Sequence, residues 1–176
     1  LSGVSAWRQL AKLQILQPQR ELEIMERLES FSTVSNGVSK NVQAMYEENP
    51  YPRWRSASLP LKPMGEARGA MLVAGCGTGR SVLQTASIYP NVDITAIDIT
   101  RRSLGYASRM CEEKGIDNVR FLHGDILELD RLEQTFDFIE CSGVLHHMAD
   151  PVKGWRKLLE KLNPGGRMLI CLYSTK

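Results

Sequence analysis

A glycine-rich segment, GCGTG at residues 75–79, constrains the fold of this chain more than any other feature. It follows an apolar stretch, residues 71–74, and precedes a segment with helical periodicity, residues 81–87. Glycines there let the chain turn tightly and let a ligand approach the backbone, because no Cβ atom intervenes. The free N–H groups at the start of the helix favour an anion. A tight turn without a ligand is the alternative interpretation.

Apolar stretches and helical patterns alternate throughout residues 69–176. The predicted strands are 71–74, 92–97, 119–122, 136–141 and 168–172, and the predicted helices are 81–87, 103–114 and 152–162. Short apolar strands separated by helices are typical of βαβ units. The sequence therefore predicts an α/β domain with a doubly wound, mainly parallel sheet covered on both faces.

Residues 1–68 are predicted to form a helical extension followed by a proline-rich connector, with the boundary near Arg68. Three helical stripes precede Tyr46; Pro18 is expected to interrupt them, and Ser35 or Asn36 to cap the third helix. Four prolines then indicate that regular structure stops: Pro50, Pro52, Pro60 and Pro63.

The charge and the cysteines exclude several classes of protein. The chain has 22 Lys and Arg against 20 Asp and Glu, a net charge of +2, which is too balanced to indicate a nucleic-acid binder. No apolar run approaches the roughly 20 residues of a membrane span, so no membrane association is expected. The four cysteines form no CxxC pair, which favours a reduced, cytoplasmic setting over a disulfide framework or a zinc site.

Two aspartates follow predicted strands at the edge where ligands collect in such sheets. Asp98 ends the second strand, 19 residues beyond Gly79, where a carboxylate can accept hydrogen bonds from both hydroxyls of a ribose. Asp125 follows the third strand and can accept from the exocyclic amine of an adenine, while Ile126 offers a backbone N–H and an apolar contact to the ring. The alternatives are a helix cap for Asp98 and a surface turn for Asp125.

Two adjacent histidines, His146 and His147, follow the fourth strand in the segment CSGVLHH, residues 141–147. One of two consecutive side chains usually faces away from a cavity, and His146 is predicted to face it. A purely structural role is the alternative. Adjacent histidines cannot readily ligate one metal ion, so no metal site is expected.

Five motifs together carry a family resemblance: VAGCGTG at 73–79, AID at 96–98, GDI at 124–126, GVLHH at 143–147 and LNPGG at 162–166. In order and spacing they resemble class I S-adenosylmethionine (SAM)-dependent methyltransferases, which have a Rossmann-like sheet. The resemblance covers about residues 69–176. It implies SAM as the cofactor and methyl transfer by in-line displacement at the sulfonium, to an acceptor that the sequence does not identify.

The resemblance also assigns the site. The glycine loop would hold the methionine end of SAM, Asp98 the ribose, and Asp125 with Ile126 the adenine. His146 is the candidate base where the acceptor loses a proton, because the unperturbed pKa of histidine lies near neutrality. The expected cofactor contacts are Ala74, Gly75, Cys76, Gly77, Thr78, Gly79, Asp98, Ile99, Asp125, Ile126, Ser142 and Gly143.

The chain departs from the family pattern in two respects. Val73 stands where the family often has Asp or Glu two residues before the first glycine, and that carboxylate would hold the methionine ammonium. The family's sheet normally has seven strands, so the domain is expected to be truncated after the fifth. A non-catalytic SAM-binding module is therefore an alternative. An NAD-dependent dehydrogenase is a weaker one, because it expects GxGxxG.

Residues 46–54, YEENPYPRW, resemble a segment that precedes the methyltransferase domain in certain bacterial proteins, some with tetratricopeptide repeats. This resemblance suggests fusion to, or association with, repeat domains. Four side chains of the segment could form a lid over the acceptor: Tyr46, Tyr51, Arg53 and Trp54. Helix packing followed by an extended connector is the alternative.

Overall fold

A parallel β-sheet lies at the centre of the computed structural model, which describes residues 2–48, 50, 52–54 and 66–173. The strands are β1 (Glu29–Ser30), β2 (Gly69–Ala74), β3 (Val92–Asp98), β4 (Val119–His123), β5 (Phe136–Ser142) and β6 (Leu162–Cys171). The helices are α1 (Ser2–Ala11), α2 (Gln17–Arg27), α3 (Gly37–Glu48), α4 (Arg80–Ile88), α5 (Arg101–Lys114) and α6 (Pro151–Leu159). In these residues, no helix combines the length and the apolar character needed to span a membrane.

The six strands pair in the order β1-β4-β3-β2-β5-β6, and every pairing is parallel. The order reverses beside β2, which pairs with β3 on one side and with β5 on the other. This reversal is the switch point at which doubly wound sheets bind ligands, beyond the carboxyl ends of the strands. The predicted α/β class with a doubly wound parallel sheet is confirmed.

Alternate side chains of β2 supply two cores, because successive residues of a strand point to opposite faces. Leu72 packs with fully buried residues of β5 and α6, whereas Val73 packs with residues of α4 and α5. Helices therefore cover both faces of the sheet, as expected of a parallel sheet. The arrangement fixes the end of β2 between two layers, and the glycine loop starts there.

The N-terminal helices run on through Pro18, contrary to the predicted interruption. A π-helical stretch, Lys12–Leu16, joins α1 to α2, and Pro18 lies in the first turn of α2. Proline has no N–H to donate, and the wider π turn just before it accommodates this loss without ending the helix. Asn36 does cap α3, as expected: its side-chain oxygen accepts hydrogen bonds from the N–H groups of Val38 (2.9 Å) and Ser39 (3.2 Å).

The extension also contributes an edge strand that the sequence analysis missed. Glu29 of β1 pairs with Leu122 of β4, and the N–H of Phe31 donates to the carbonyl of His123 at 3.1 Å. A two-residue strand has no alternating pattern by which it could be recognised. The division into residues 1–68 and 69–176 stays a prediction, but the sheet itself crosses it.

Helix α6 ends at Leu159, three residues before the predicted end. Leu162 instead begins β6, where it pairs with Phe136 of β5. The carbonyl of Lys161 also accepts from the N–H of Phe136 at 2.9 Å. The turn predicted at residues 163–166 lies inside β6 as an irregularity. Phe136 pairs with Leu162, and Phe138 then pairs with Arg167.

Candidate functional site

A cavity of about 490 Å³ opens at the carboxyl ends of β2, β3 and β5, at the switch point of the sheet. Its volume lies in the range of small-molecule sites. The cavity brings together eleven of the twelve residues predicted to contact a cofactor: Ala74, Gly75, Cys76, Gly77, Thr78, Asp98, Ile99, Asp125, Ile126, Ser142 and Gly143. The twelfth, Gly79, is not part of the wall. Contact between these residues and a cofactor stays a prediction.

The outer glycines of the loop serve packing within the chain. Gly75 and Gly79 both have φ +74°, and a Cβ atom on Gly75 would lie 2.3 Å from Cγ2 of Val144. A Cβ atom on Gly79 would lie 2.5 Å from that of Ala107 on α5. These two glycines therefore let the loop approach its own neighbours. Gly77, with φ +53°, is the loop's middle glycine and lies on the cavity wall.

The Asp98 carboxylate closes the glycine loop onto the start of α5. Its Oδ2 accepts a hydrogen bond from the N–H of Gly77 at 2.8 Å; its Oδ1 accepts from the N–H and the hydroxyl of Thr100 at 2.9 and 2.7 Å. Burial raises the pKa of Asp98, and these hydrogen bonds oppose the rise. A carboxylate can accept about four hydrogen bonds, so three bonds leave capacity for one ribose hydroxyl rather than two.

Asp125 is buried, with only 1% of its surface exposed, so it does not lie in a surface turn. Its Oδ1 accepts from the N–H of Leu127 at 2.9 Å, and its own N–H donates to the hydroxyl of Ser32 at 3.0 Å. Its Oδ2 is buried and has no hydrogen-bond partner among the described residues. A buried acceptor without a donor is costly, and Asp125 lies on the cavity wall, where a ligand could supply one.

His147, not His146, lines the cavity, which reverses the expected orientation of the two side chains. The ring of His146 packs between His147, with centroids 4.1 Å apart, and Tyr173, at 4.6 Å. The two histidines belong to a 3-10 turn whose first residue, Leu145, is fully buried. Successive residues in such a turn are about 120° apart, so the position of Leu145 determines which histidine meets the cavity. The proposed role of His146 as a base stays a prediction.

The electrostatics of His147 suit an uncharged ring at neutral pH. Burial lowers its pKa, and the neighbouring His146 lowers it further. Its ring also meets the ring of Tyr46 edge to face, with centroids 6.4 Å apart. The cavity therefore presents an imidazole with a lowered pKa beside an aromatic wall.

Helix α3 of the extension supplies part of that wall through Ser39, Val42 and Tyr46. From the same helix, Gln43 donates to the carbonyl of Ile99 at 2.7 Å and so holds the loop that follows β3. This contribution could not be predicted from the sequence, because the contact joins residues 56 positions apart.

The four residues considered as a lid separate into different roles. Tyr46 lines the cavity, and Tyr51 lies outside the described residues. Trp54 is buried and donates from Nε1 to the carbonyl of Thr78 at 3.0 Å. Arg53 lies 3.6 Å from the Glu21 carboxylate. Trp54 and Arg53 therefore anchor the extension, which agrees with the packing alternative.

One further acid on the wall, Glu140 of β5, was not singled out by the sequence analysis. The available signal was a second acid in the strand FDFIEC, residues 136–141, where Glu140 follows the buried Ile139 near the carboxyl end. Strand alternation places the side chains of Ile139 and Glu140 on opposite faces of the sheet. Because Ile139 is buried in one core, alternation alone predicts that Glu140 points away from it.

Comparison with known proteins identifies the family of this chain. Residues 67–176 match the family model described as a methyltransferase domain. An uncharacterized protein of Synechococcus is 34% identical over 84% of this chain and 40% of its own length. A demethylmenaquinone methyltransferase of Clavibacter sepedonicus is 32% identical over 69% of the chain and 48% of its own length. This chain thus spans less than half the length of these two relatives.

A solved structure extends the comparison to a bound ligand. PKMT2 from Rickettsia typhi, in complex with AdoHcy, superposes with a TM-score of 0.55 and 28% identity. The match covers 61% of this chain and 22% of that protein. The family model covers more than half of the chain, at the residues that form strands β2 to β6 and the glycine loop. The chain belongs to the class I S-adenosylmethionine-dependent methyltransferases.

Proposed function

We propose that this chain binds SAM in the cavity and transfers its methyl group to an acceptor. The observation that carries the proposal is the unpartnered Oδ2 of Asp125, a buried acceptor beside an open cavity. An adenine amine is a donor of the right kind for that oxygen. Ile126, next in the chain and also buried, offers an apolar surface for the adenine ring.

The remaining parts of the cofactor fit the other residues of the wall. The free capacity of Asp98 suits one ribose hydroxyl, and the glycine loop suits the methionine portion, which must pass close to the backbone. SAM supplies an activated methyl group on a sulfonium. The main tasks of the protein are then to align the acceptor with that group and to exclude water.

The acceptor side of the cavity is aromatic and partly apolar. Tyr46, Val144, His147 and Tyr173 lie on the wall, and a sulfonium is favoured beside aromatic faces. A base is needed only where the acceptor carries a proton that must leave. We propose one of the two histidines for this step, and His147 has the direct access. Demethylmenaquinone, the substrate named in one relative, is the first acceptor to assay.

Asp125→Asn is expected to weaken SAM binding by roughly 10- to 150-fold, the equivalent of losing a hydrogen bond to a charged acceptor. The amide retains one acceptor for the N–H of Leu127 but brings an NH₂ group into the site, where the adenine amine needs an oxygen. Isothermal titration calorimetry measures the change directly.

The matched control is Asp130→Asn, which makes the same chemical change at an exposed residue paired with Lys157. It should bind SAM as the wild type does. A folded Asp125→Asn variant with unchanged SAM affinity would remove adenine recognition from this carboxylate.

A further inference from the structure

Glu140 lies beside the position where the family's usual carboxylate is missing. Strands β2 and β5 are parallel neighbours, and their register pairs Val73 with Glu140. Val73 and Phe138 belong to the core on the α4 side of the sheet. Side chains of one strand alternate between faces, so Glu140, two residues beyond Phe138, shares the face of Val73.

The Glu140 carboxylate is half-buried on the cavity wall. Burial raises its pKa, and no hydrogen bond or positive charge from the described residues acts in the opposite direction. A carboxylate withdrawn from water without a cation or a donor is unfavourable. A ligand that brings a cation to this part of the wall would relieve that cost.

The other two acids on the described wall are already engaged. Asp98 accepts three hydrogen bonds from the chain. Asp125 accepts one from the N–H of Leu127, and it follows β4, which is not a neighbour of β2 in the sheet. Val73, only 3% exposed, offers no charge. Glu140 is therefore the acid whose charge the described chain leaves uncompensated beside the glycine loop.

We propose that Glu140 binds the α-ammonium group of the methionine portion of SAM, in place of the carboxylate absent at Val73. The inference rests on the proposed function, because it takes SAM as the ligand. It assigns to β5 a contact that the family pattern places on β2. The ammonium is a strong donor, and its hydrogen bond to a partly buried carboxylate is charge-assisted.

Glu140→Gln tests the assignment with three ligands: SAM, S-adenosylhomocysteine and 5′-methylthioadenosine. The last has the adenosine portion but neither the ammonium nor the carboxylate of methionine. We expect the variant to bind SAM and S-adenosylhomocysteine roughly 10- to 150-fold more weakly. Its affinity for 5′-methylthioadenosine should stay within about twofold of the wild type, which also shows that the cavity is intact.

Glu160→Gln, an exposed residue paired with Lys157, is the control for the chemical change and should leave all three affinities unaltered. Unchanged SAM affinity in Glu140→Gln, or equal losses for SAM and 5′-methylthioadenosine, would overturn the assignment to the ammonium. Failure of the wild type to bind any of the three ligands would instead overturn the proposed function, so the two failures are distinguishable.

Discussion

A Gly77→Val variant is expected to bind no detectable SAM while it remains folded. Gly77 lies on the cavity wall with φ +53°, a conformation that β-branched residues rarely adopt. If valine kept that φ, its side chain would stand on the wall of the cavity. If φ changed instead, the N–H of Gly77 would leave the Asp98 carboxylate, and the loop would lose its shape. Calorimetric titration with SAM and circular dichroism measure binding and folding.

Gly115→Val is the control that separates the cost of holding valine at positive φ from the effect of a side chain in the cavity. Gly115 ends α5 with φ +66°, and no described atom lies within 4 Å of a Cβ built there. Valine at this position should lower the free energy of unfolding by about 1–2 kcal/mol, the cost of the left-handed conformation, and leave SAM affinity intact. A folded Gly77→Val protein that binds SAM as Gly115→Val does would exclude the loop as the binding element.

Replacing Glu21 by alanine is expected to lower the free energy of unfolding by about 3 kcal/mol. Glu21 Oε1 lies 2.9 Å from Nε of Arg109, and their side chains are only 8% and 4% exposed. Alanine leaves the buried guanidinium with Glu113, at 3.1 Å, as its remaining ion-pair partner in the described chain. Removing one partner of a buried pair typically costs 3–5 kcal/mol, and the bond to Glu113 places this site at the low end. Urea denaturation measures the loss.

Glu23→Ala is the matched control on the same helix, since Glu23 pairs with Arg20 at an exposed site and should contribute less than about 1 kcal/mol. The double variant Glu21→Leu/Arg109→Met should recover most of the stability, because apolar side chains can replace a buried ion pair. Equal losses for Glu21→Ala and Glu23→Ala would show that the buried pair does not fix α2 on α5.

Strands β2 to β5 could be predicted closely, because each is a short apolar run bounded by turn residues. Residues 92–97 were predicted as a strand, and the structure has Val92–Asp98. The end of α6 could not be predicted, because Leu162 joins the sheet by pairing with Phe136, and no local pattern reveals that pairing. The π-helical passage before Pro18 was missed for a different reason: proline breaks most helices, and tertiary context decides the exceptions.

Those residues of the candidate site that lie in a motif directly at the end of a strand could be predicted from the sequence. Asp98 and Asp125 each end or follow a strand, so the parallel topology brings them to one edge. Which of His146 and His147 lines the cavity was not predictable, because it depends on how Leu145 packs into the core. The contact of Gln43 with Ile99 and the register of Glu140 with Val73 required the three-dimensional arrangement of separate elements.

Titration of the wild-type chain with SAM, and separately with NAD, is the measurement that tests the central claim most directly. The wall presents one orphaned acceptor for an adenine amine and a glycine loop without GxGxxG spacing. We expect one SAM molecule to bind per chain, S-adenosylhomocysteine to compete for the same site, and NAD to give no heat of binding. A folded chain that binds NAD, or that leaves SAM unbound, would contradict the account.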